Sequence, residues 1–307
     1  SNSDLPMLKR IVGNFSYVVI DEAQRIDGVG LLMKQLHDEM TQVKVVATGS
    51  SSLLLSDQSK EPLTGRKWEF RMFPVSFSEM ADRHGFLSEL KMLSQRMIYG
   101  YYPGVVLHPN DAKDILKELS DSYLYKDLLS LGVIKKPKAV EKLIQALAWQ
   151  LGSEVNFHEL GQVTGIHPAT VEEYLDLLEK MFVVFRLSSY SRNLRNEIKK
   201  GKKYYFYDLG IRNAVINNFN ELDARNDVGA LWENFVILER KKHKAYQRIW
   251  SNDYFWRTHA QQEIDYLEER EGKLFAYEIK WNPKKKAKLS KSFIQSYPEH
   301  EFQVISR

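Results

Sequence analysis

FSYVVIDEAQRI, residues 15–26, is an apolar, β-branched run that ends in two acids, Asp21 and Glu22. Its composition is that of a short strand buried on both faces of a parallel sheet. A second run of the same type, VKVVATGSSS, occupies residues 43–52. Between them GLLMKQLHDEM, residues 30–40, places Leu31, Leu32, Leu36 and Met40 near helical spacing. Strand, helix, strand is the order of an α/β sheet. An acidic pair at the carboxyl end of such a strand suits nucleotide chemistry, with Asp holding a Mg²⁺-bound water and Glu activating the attacking one.

The other half of such a site is G-x-x-x-x-G-K-[ST], whose amides form an anion nest while its Lys and hydroxyl complete the phosphate and metal contacts. No such string occurs in the 307 residues. TGSSS at 48–52, LTGRK at 63–67 and KKGKK at 199–203 each lack the second glycine and the Lys-hydroxyl pair. The chain opens SNSD without an initiating Met, and the expectation is that the phosphate loop lies upstream.

The length allows two or three cores, and 43% hydrophobic with 27% charged residues is ordinary globular composition. No apolar run approaches the roughly 18 residues of a membrane span, so a cytoplasmic location without membrane contact is expected. The absence of cysteine excludes disulfides and thiolate metal sites. The eight histidines show no H-x-x-x-H spacing. A net charge of +4 permits nucleic-acid contact without requiring it.

Four segments are expected. Residues 1–80 form a partial α/β core, and 81–135 a helical region broken at Gly100 and Pro103. Residues 136–200 read as helix, turn, helix and strand, the order of a winged helix. Val171, Tyr174, Leu175 and Leu178 would form the buried stripe of its second helix. That helix also carries Glu172, Glu173, Asp176 and Glu179, which a DNA backbone would repel, so it is expected to pack between domains or onto a protein partner. Residues 201–307 combine a helix, WENFVILERKKHK, with strands YFWRT, EIDYLEER and LFAYEIKW. The fold class is α/β and α+β multidomain.

In AYEIKW, strand alternation puts Glu278 and Lys280 on one face and Ile279 on the other. If EIDYL and AYEIK pair across the EREGK turn, Asp265 meets Glu278, and two carboxylates beside an amine would suit Mg²⁺ and an attacking water. An ordinary cross-strand ion pair on a solvated face is the plainer alternative. Two basic clusters are candidates for nucleic-acid contact: Arg192, Arg195, Lys199, Lys200, Lys202 and Lys203, and the run from Lys280 to Lys291 that includes Lys284, Lys285 and Lys286.

The succession VVIDEAQ, VVATGSSSLLL, LTGRKWEFRMFPVSFSEM and YYPGVV resembles the prokaryotic AAA-type ATPases of the archaeal-bacterial group. Those proteins continue into a winged helix and a C-terminal domain of restriction-endonuclease-like fold, and KKYYFYDLGIRNAV, GALWENFVILE, QEIDYL and AYEIKW follow in the matching order. The resemblance implies ATP and Mg²⁺ as cofactors. It places Asp21 and Glu22 as the metal and water-activating pair, Ser50 or Thr48 as the polar sensor, and Arg66 as a γ-phosphate contact. The C-terminal residues resemble a PD-(D/E)xK nuclease core, with Asp265, Glu278 and Lys280 in the motif and Glu233 as an additional helical acid. Three activities stay open at this point: nucleotide-dependent action on DNA or a protein partner, Mg²⁺-dependent DNA cleavage, and non-catalytic binding. Without the phosphate loop these residues are expected not to bind ATP tightly.

Overall fold

The computed structural model describes residues 5–49, 65–124, 134–191, 201–258, 260–285 and 287–307. The chain divides into two compact units, Ser1–Arg71 with Lys180–Phe182, and Met72–Glu179 with Val183–Arg307. The architecture is mixed α/β.

The first unit contains α1 (Leu5–Val12), β1 (Tyr17–Ile20), α2 (Val29–Glu39) and β2 (Lys44–Ala47). β1 and β2 pair in parallel, Tyr17 opposite Lys44 and Ile20 opposite Ala47, with α2 as the crossover between them. Val12, Leu36, Met40 and Val43 are buried against Val18, Ile20, Leu32 and Val45. Burial on both faces of these strands, expected from their composition, is not what forms. Tyr17 is 63% and Val19 68% exposed, and Val46 shares that open face. The core gathers on one side, so alternation turns every second residue away from it. Leu31 likewise faces outward on α2.

The second unit begins with four helices: α3 (Phe77–His84), α4 (Phe86–Tyr99), α5 (Pro103–Leu107) and α6 (Ala112–Glu118). Ser76 and Glu79 form a capping box that starts α3, satisfying two N–H groups left over at the helix end. Gly100 ends α4 and Pro103 opens α5 at its first turn, as the breaker residues predict. Next come α7 (Pro137–Trp149), β3 (Glu154–Val155), α8 (Phe157–Thr164), α9 (Pro168–Lys180) and β4 (Val184–Ser189). The Asn156 side chain caps α8, and Gly165 closes it in the left-handed region. Val171, Tyr174, Leu175 and Leu178 are buried, which is the expected stripe of α9.

The remaining elements are β5 (Lys202–Phe206), α10 (Leu209–Val215), α11 (Val228–Gln247), β6 (Asn252–Arg257), β7 (Glu263–Arg270), β8 (Lys273–Lys280), α12 (Lys291–Ser296) and β9 (His300–Ser306). One sheet in the order β3-β5-β4-β6-β7-β8-β9 joins strands from both sides of residue 200. β4 pairs antiparallel to β5 and parallel to β6, and β8 pairs parallel to β9. Ile264 and Leu267, three residues apart, share a core cluster with Trp256, Leu274 and Phe293. Strict alternation forbids that spacing, and a register shift between Tyr254 and Trp256 on the partner strand accommodates it. No helix among the described residues is long and apolar enough to cross a membrane.

The two sequence motifs YGYYPG and YDLGIR dock on each other. Asp208 caps α10 by accepting the Ile211 N–H (3.0 Å) and also takes the Tyr101 N–H (2.7 Å) from the segment after α4. Gly100 has a φ of +73°, and a Cβ there would stand 2.1 Å from the Asp208 carboxylate, so both the backbone and the approach require glycine. Beside it, the buried Arg212 guanidinium donates to the Ala148 carbonyl and to Asp227 (2.6 Å), and Arg225 holds Asp227 from the other side (2.8 Å).

Candidate functional site

Alternation along β5 sends Lys203 and Tyr205 to one side of the strand. Asn234 fixes α11 against it: its Oδ1 accepts the Phe206 N–H (2.8 Å) and its Nδ2 donates to the Phe206 carbonyl (3.0 Å). The preceding helical residue, Glu233, accepts a hydrogen bond from the Tyr205 hydroxyl (2.5 Å) and lies 3.4 Å from the Lys203 ammonium. Lys203 also donates to Glu263 on β7. Its side chain is 2% exposed, so the strand carries this charge inside the fold.

β7 and β8 form the hairpin expected from EIDYLEEREGKLFAYEIKW. Its turn residues, Glu271 and Gly272, have φ of +51° and +76°, as a type I′ connection requires. Tyr266 stands opposite Tyr277, which brings Asp265 to the level of Glu278. The Asp265 Oδ2 accepts the Ile279 N–H (2.8 Å) and the Lys280 ammonium (2.9 Å). Lys280 donates as well to Glu278 (2.6 Å). The structure thus assembles Asp265, Glu278 and Lys280, and places Glu233 with Lys203 in the same electrostatic neighbourhood.

Burial and then the Asp265 charge push the Glu278 carboxyl up to about 7, against the opposing pull of Lys280. Burial also raises Glu233, reinforced by Asp265 and opposed by Lys203. For Lys280, burial works against the charge, but its bonds to Glu278 and Asp265 outweigh it and hold the ammonium more firmly than usual. Lys203 is raised in the same way, burial being overcome by Glu233 and Glu263. The cluster therefore favours the charged form of both lysines, while burial and the neighbouring Asp265 make Glu278 easier to protonate than an ordinary carboxyl.

At the amino end, Thr48 stitches β2 to the end of β1. Its N–H donates to the Ile20 carbonyl (2.9 Å) and its carbonyl accepts the Ala23 N–H (2.8 Å). Its hydroxyl donates to the Asp21 carboxylate, and Glu22, held at a φ of +50°, donates its N–H to the same hydroxyl (3.3 Å). Asp21 and Thr48 are exposed. An acid and a hydroxyl side by side at the carboxyl ends of parallel strands fit the metal-side contacts of a nucleotide, where α/β sheets place their ligands. Glu22 pairs with Arg25 (3.6 Å), and Arg66 pairs with Asp38 of α2 (3.0 Å).

Comparisons with known proteins match three successive segments of the chain. Residues 3–81 match an AAA domain. Residues 90–222 match a domain of unknown function, DUF8612, and residues 228–306 another, DUF4143. The AAA match at the amino end and the DUF4143 match at the carboxyl end support an AAA-type ATPase-like family. An uncharacterized protein of Haemophilus influenzae is 29% identical over 235 residues, covering 73% of this chain and 57% of its own length. Uncharacterized proteins of Methanocaldococcus jannaschii and Mycobacterium tuberculosis are 24% and 26% identical, over 83% and 90% of this chain and 59% and 60% of their own. The chain thus spans less than two thirds of the length of these relatives. No solved structure matches it significantly.

Within the AAA segment, Asp21, Glu22, Thr48 and Arg66 are described, and Ser50 lies outside the described residues. In the DUF4143 segment Asp265, Glu278 and Lys280 converge, and Glu233 of the same segment contacts Lys203 and Tyr205 of the strand before it. Lys203 was expected to track phosphates from a basic wing; it is instead buried among carboxylates, because β5 is an inner strand of the sheet. Lys202 pairs with Glu172 (2.7 Å) and lies over the Phe157 ring. Arg186 pairs with Asp176 (3.5 Å) and Glu179 (3.6 Å), so the acidic face of α9 is held by its own sheet. Lys284 and Lys285 are exposed just after β8. Arg192, Arg195, Lys199, Lys200 and Lys286 lie outside the described residues. Glu263 and Tyr205 were missed, although E-x-D at 263–265 and K-x-Y at 203–205 repeat the alternation that singled out E-x-K.

Proposed function

We propose that these residues supply the acid-and-sensor half of a nucleotide site in an AAA-type protein, one that couples ATP to action on DNA or on a protein partner through its carboxyl-terminal unit. The observation that carries the reading is the contact between Asp21 and Thr48 at the carboxyl ends of two parallel strands. In this role Asp21 would hold the water shell of Mg²⁺ and Glu22 would orient the attacking water, while Thr48 fixes the Asp21 carboxylate by donating its hydroxyl hydrogen bond. Bound ATP·Mg²⁺ would supply the phosphoryl group and its charge-neutralising metal. The amide nest and its Lys, which carry most of the phosphate contacts in such sites, have no counterpart in the 307 residues.

Calorimetric titration of ATP·Mg²⁺ into the 307-residue chain tests the reading, with Asp21→Ala as its comparison. The expected result is no saturation in the micromolar range for either protein. Micromolar affinity that survives in Asp21→Ala would remove both the half-site and the assignment of Asp21.

A further inference from the structure

Four carboxylates meet on one side of the carboxyl-terminal sheet: Glu233, Glu263, Asp265 and Glu278. Acids so grouped at the end of a hairpin invite a divalent cation. We infer that the chain fills this cluster with its own ammonium groups, Lys203 and Lys280, and that the folded protein does not hold a divalent cation there. The inference is independent of the amino-terminal half-site.

Every member of the group already has an ammonium at contact distance. Lys203 bridges Glu233 (3.4 Å) and Glu263, and Lys280 bridges Asp265 (2.9 Å) and Glu278 (2.6 Å). Other donors occupy the same oxygens. The Tyr205 hydroxyl shares Glu233 Oε1 with Lys203, and the Ile279 N–H shares Asp265 Oδ2 with Lys280. Among the described residues, no group of three or more His, Cys, Asp or Glu is arranged to hold a metal ion. Mg²⁺ requires near-octahedral oxygens at about 2.1 Å, so it would have to expel an ammonium before it could reach two of these carboxylates together.

The two lysines differ in what expulsion would involve. Lys203 rises from an inner strand, lies 5.2 Å from the centroid of the Phe255 ring and is 2% exposed, so moving its ammonium would break a buried pair. Lys280 is 29% exposed at the end of β8 and can swing outward. Only the Asp265–Glu278 half is therefore open to exchange, and a cation entering there would meet Lys280 at its edge. An ammonium removed from a buried pair leaves uncompensated carboxylates, which raises the affinity for any replacement cation.

Mn²⁺ titration followed by electron paramagnetic resonance reads this directly, since bound and free Mn²⁺ differ in signal. The titration uses the 307-residue chain carrying Asp21→Ala, which keeps the amino-terminal acid out of the measurement. The expected result is no binding tighter than about 100 μM, and at least about a tenfold gain in affinity when Lys280→Met is added. Lys280 is the residue to change because its partly exposed position spares the core, whereas Lys203→Met risks the fold itself. Tighter binding by the parent protein overturns the inference outright. A Lys280→Met protein that binds no better overturns it too, because the ammonium would then not be what excludes the ion.

Discussion

Asp208 joins the segment after α4 to α10, and its burial should be readable as a pH dependence of stability. The carboxyl is pushed from an ordinary 3.8 up to about 6, because burial outweighs the backbone N–H bonds from Tyr101 and Ile211 that favour the charged form. The folded protein therefore binds this proton more tightly than the unfolded chain, and stability rises as pH falls through about 6 until the unfolded carboxyl begins to titrate near 3.8. Between pH 7 and pH 5 the folded state gains nearly a full decade of proton binding, about 1.3 kcal/mol, of which the unfolded chain returns almost nothing. Urea unfolding of the 307-residue chain and of Asp208→Asn, at both pH values and followed by tryptophan fluorescence, isolates this contribution. Other titrating groups, Glu278 among them, contribute equally to both proteins and cancel in the difference. The variant should be less stable throughout, because an amide cannot accept two N–H bonds through its two ends. Its pH 7 to pH 5 increment should be smaller than the wild-type increment by about 1.3 kcal/mol. Equal increments in the two proteins would refute the assignment of a raised Asp208.

Two further outcomes follow from the same docked motifs. Gly100→Ala adds a Cβ 2.1 Å from the Asp208 carboxylate at a φ of +73°, and should destabilise the second unit by more than about 3 kcal/mol, seen as a collapse of its urea midpoint. Asp227 behaves oppositely to Asp208: burial works upward, but the hydrogen bonds from Arg225 and Arg212 prevail and hold its carboxyl down to about 2. Its contribution, about 2 kcal/mol, is present above 3.8 and lost as pH falls through about 2, so Asp227→Asn should flatten that part of the acid-unfolding profile.

Much of this organisation was legible in the sequence because it rests on local rules. The β1–α2–β2 order, the breaks at Gly100 and Pro103, the buried stripe of α9 and the convergence of Asp265, Glu278 and Lys280 all follow from periodicity and turn chemistry. What escaped depended on neighbours distant in the chain. A strand such as YVVI states that it is apolar but not how many of its faces are covered, and here Tyr17 and Val19 lie open. Lys203 looked like one more member of a basic run because its neighbours are lysines. Only the position of β5 between β3 and β4, with α11 laid against it, turns that side chain inward. Asp208 gives no signal as a buried acid, since the Tyr101 N–H it accepts comes from a segment more than a hundred residues earlier.

The ladder between β4 and β5 bears on how this protein can be divided. Cutting the chain at residue 200 would leave Val184–Ser189 in one piece and its antiparallel partner, Lys202–Phe206, in the other. Each fragment would expose a bare strand edge, a template for aggregation. The adjacent residues Lys202 and Lys203 grip opposite neighbours: one holds Glu172 of α9, the other Glu233 and Glu263. Neighbouring residues of β5 thus serve two sides of the sheet, one tied to α9 and the other to the buried ionic group, so a cut at residue 200 would leave both lysines in the fragment that lacks α9.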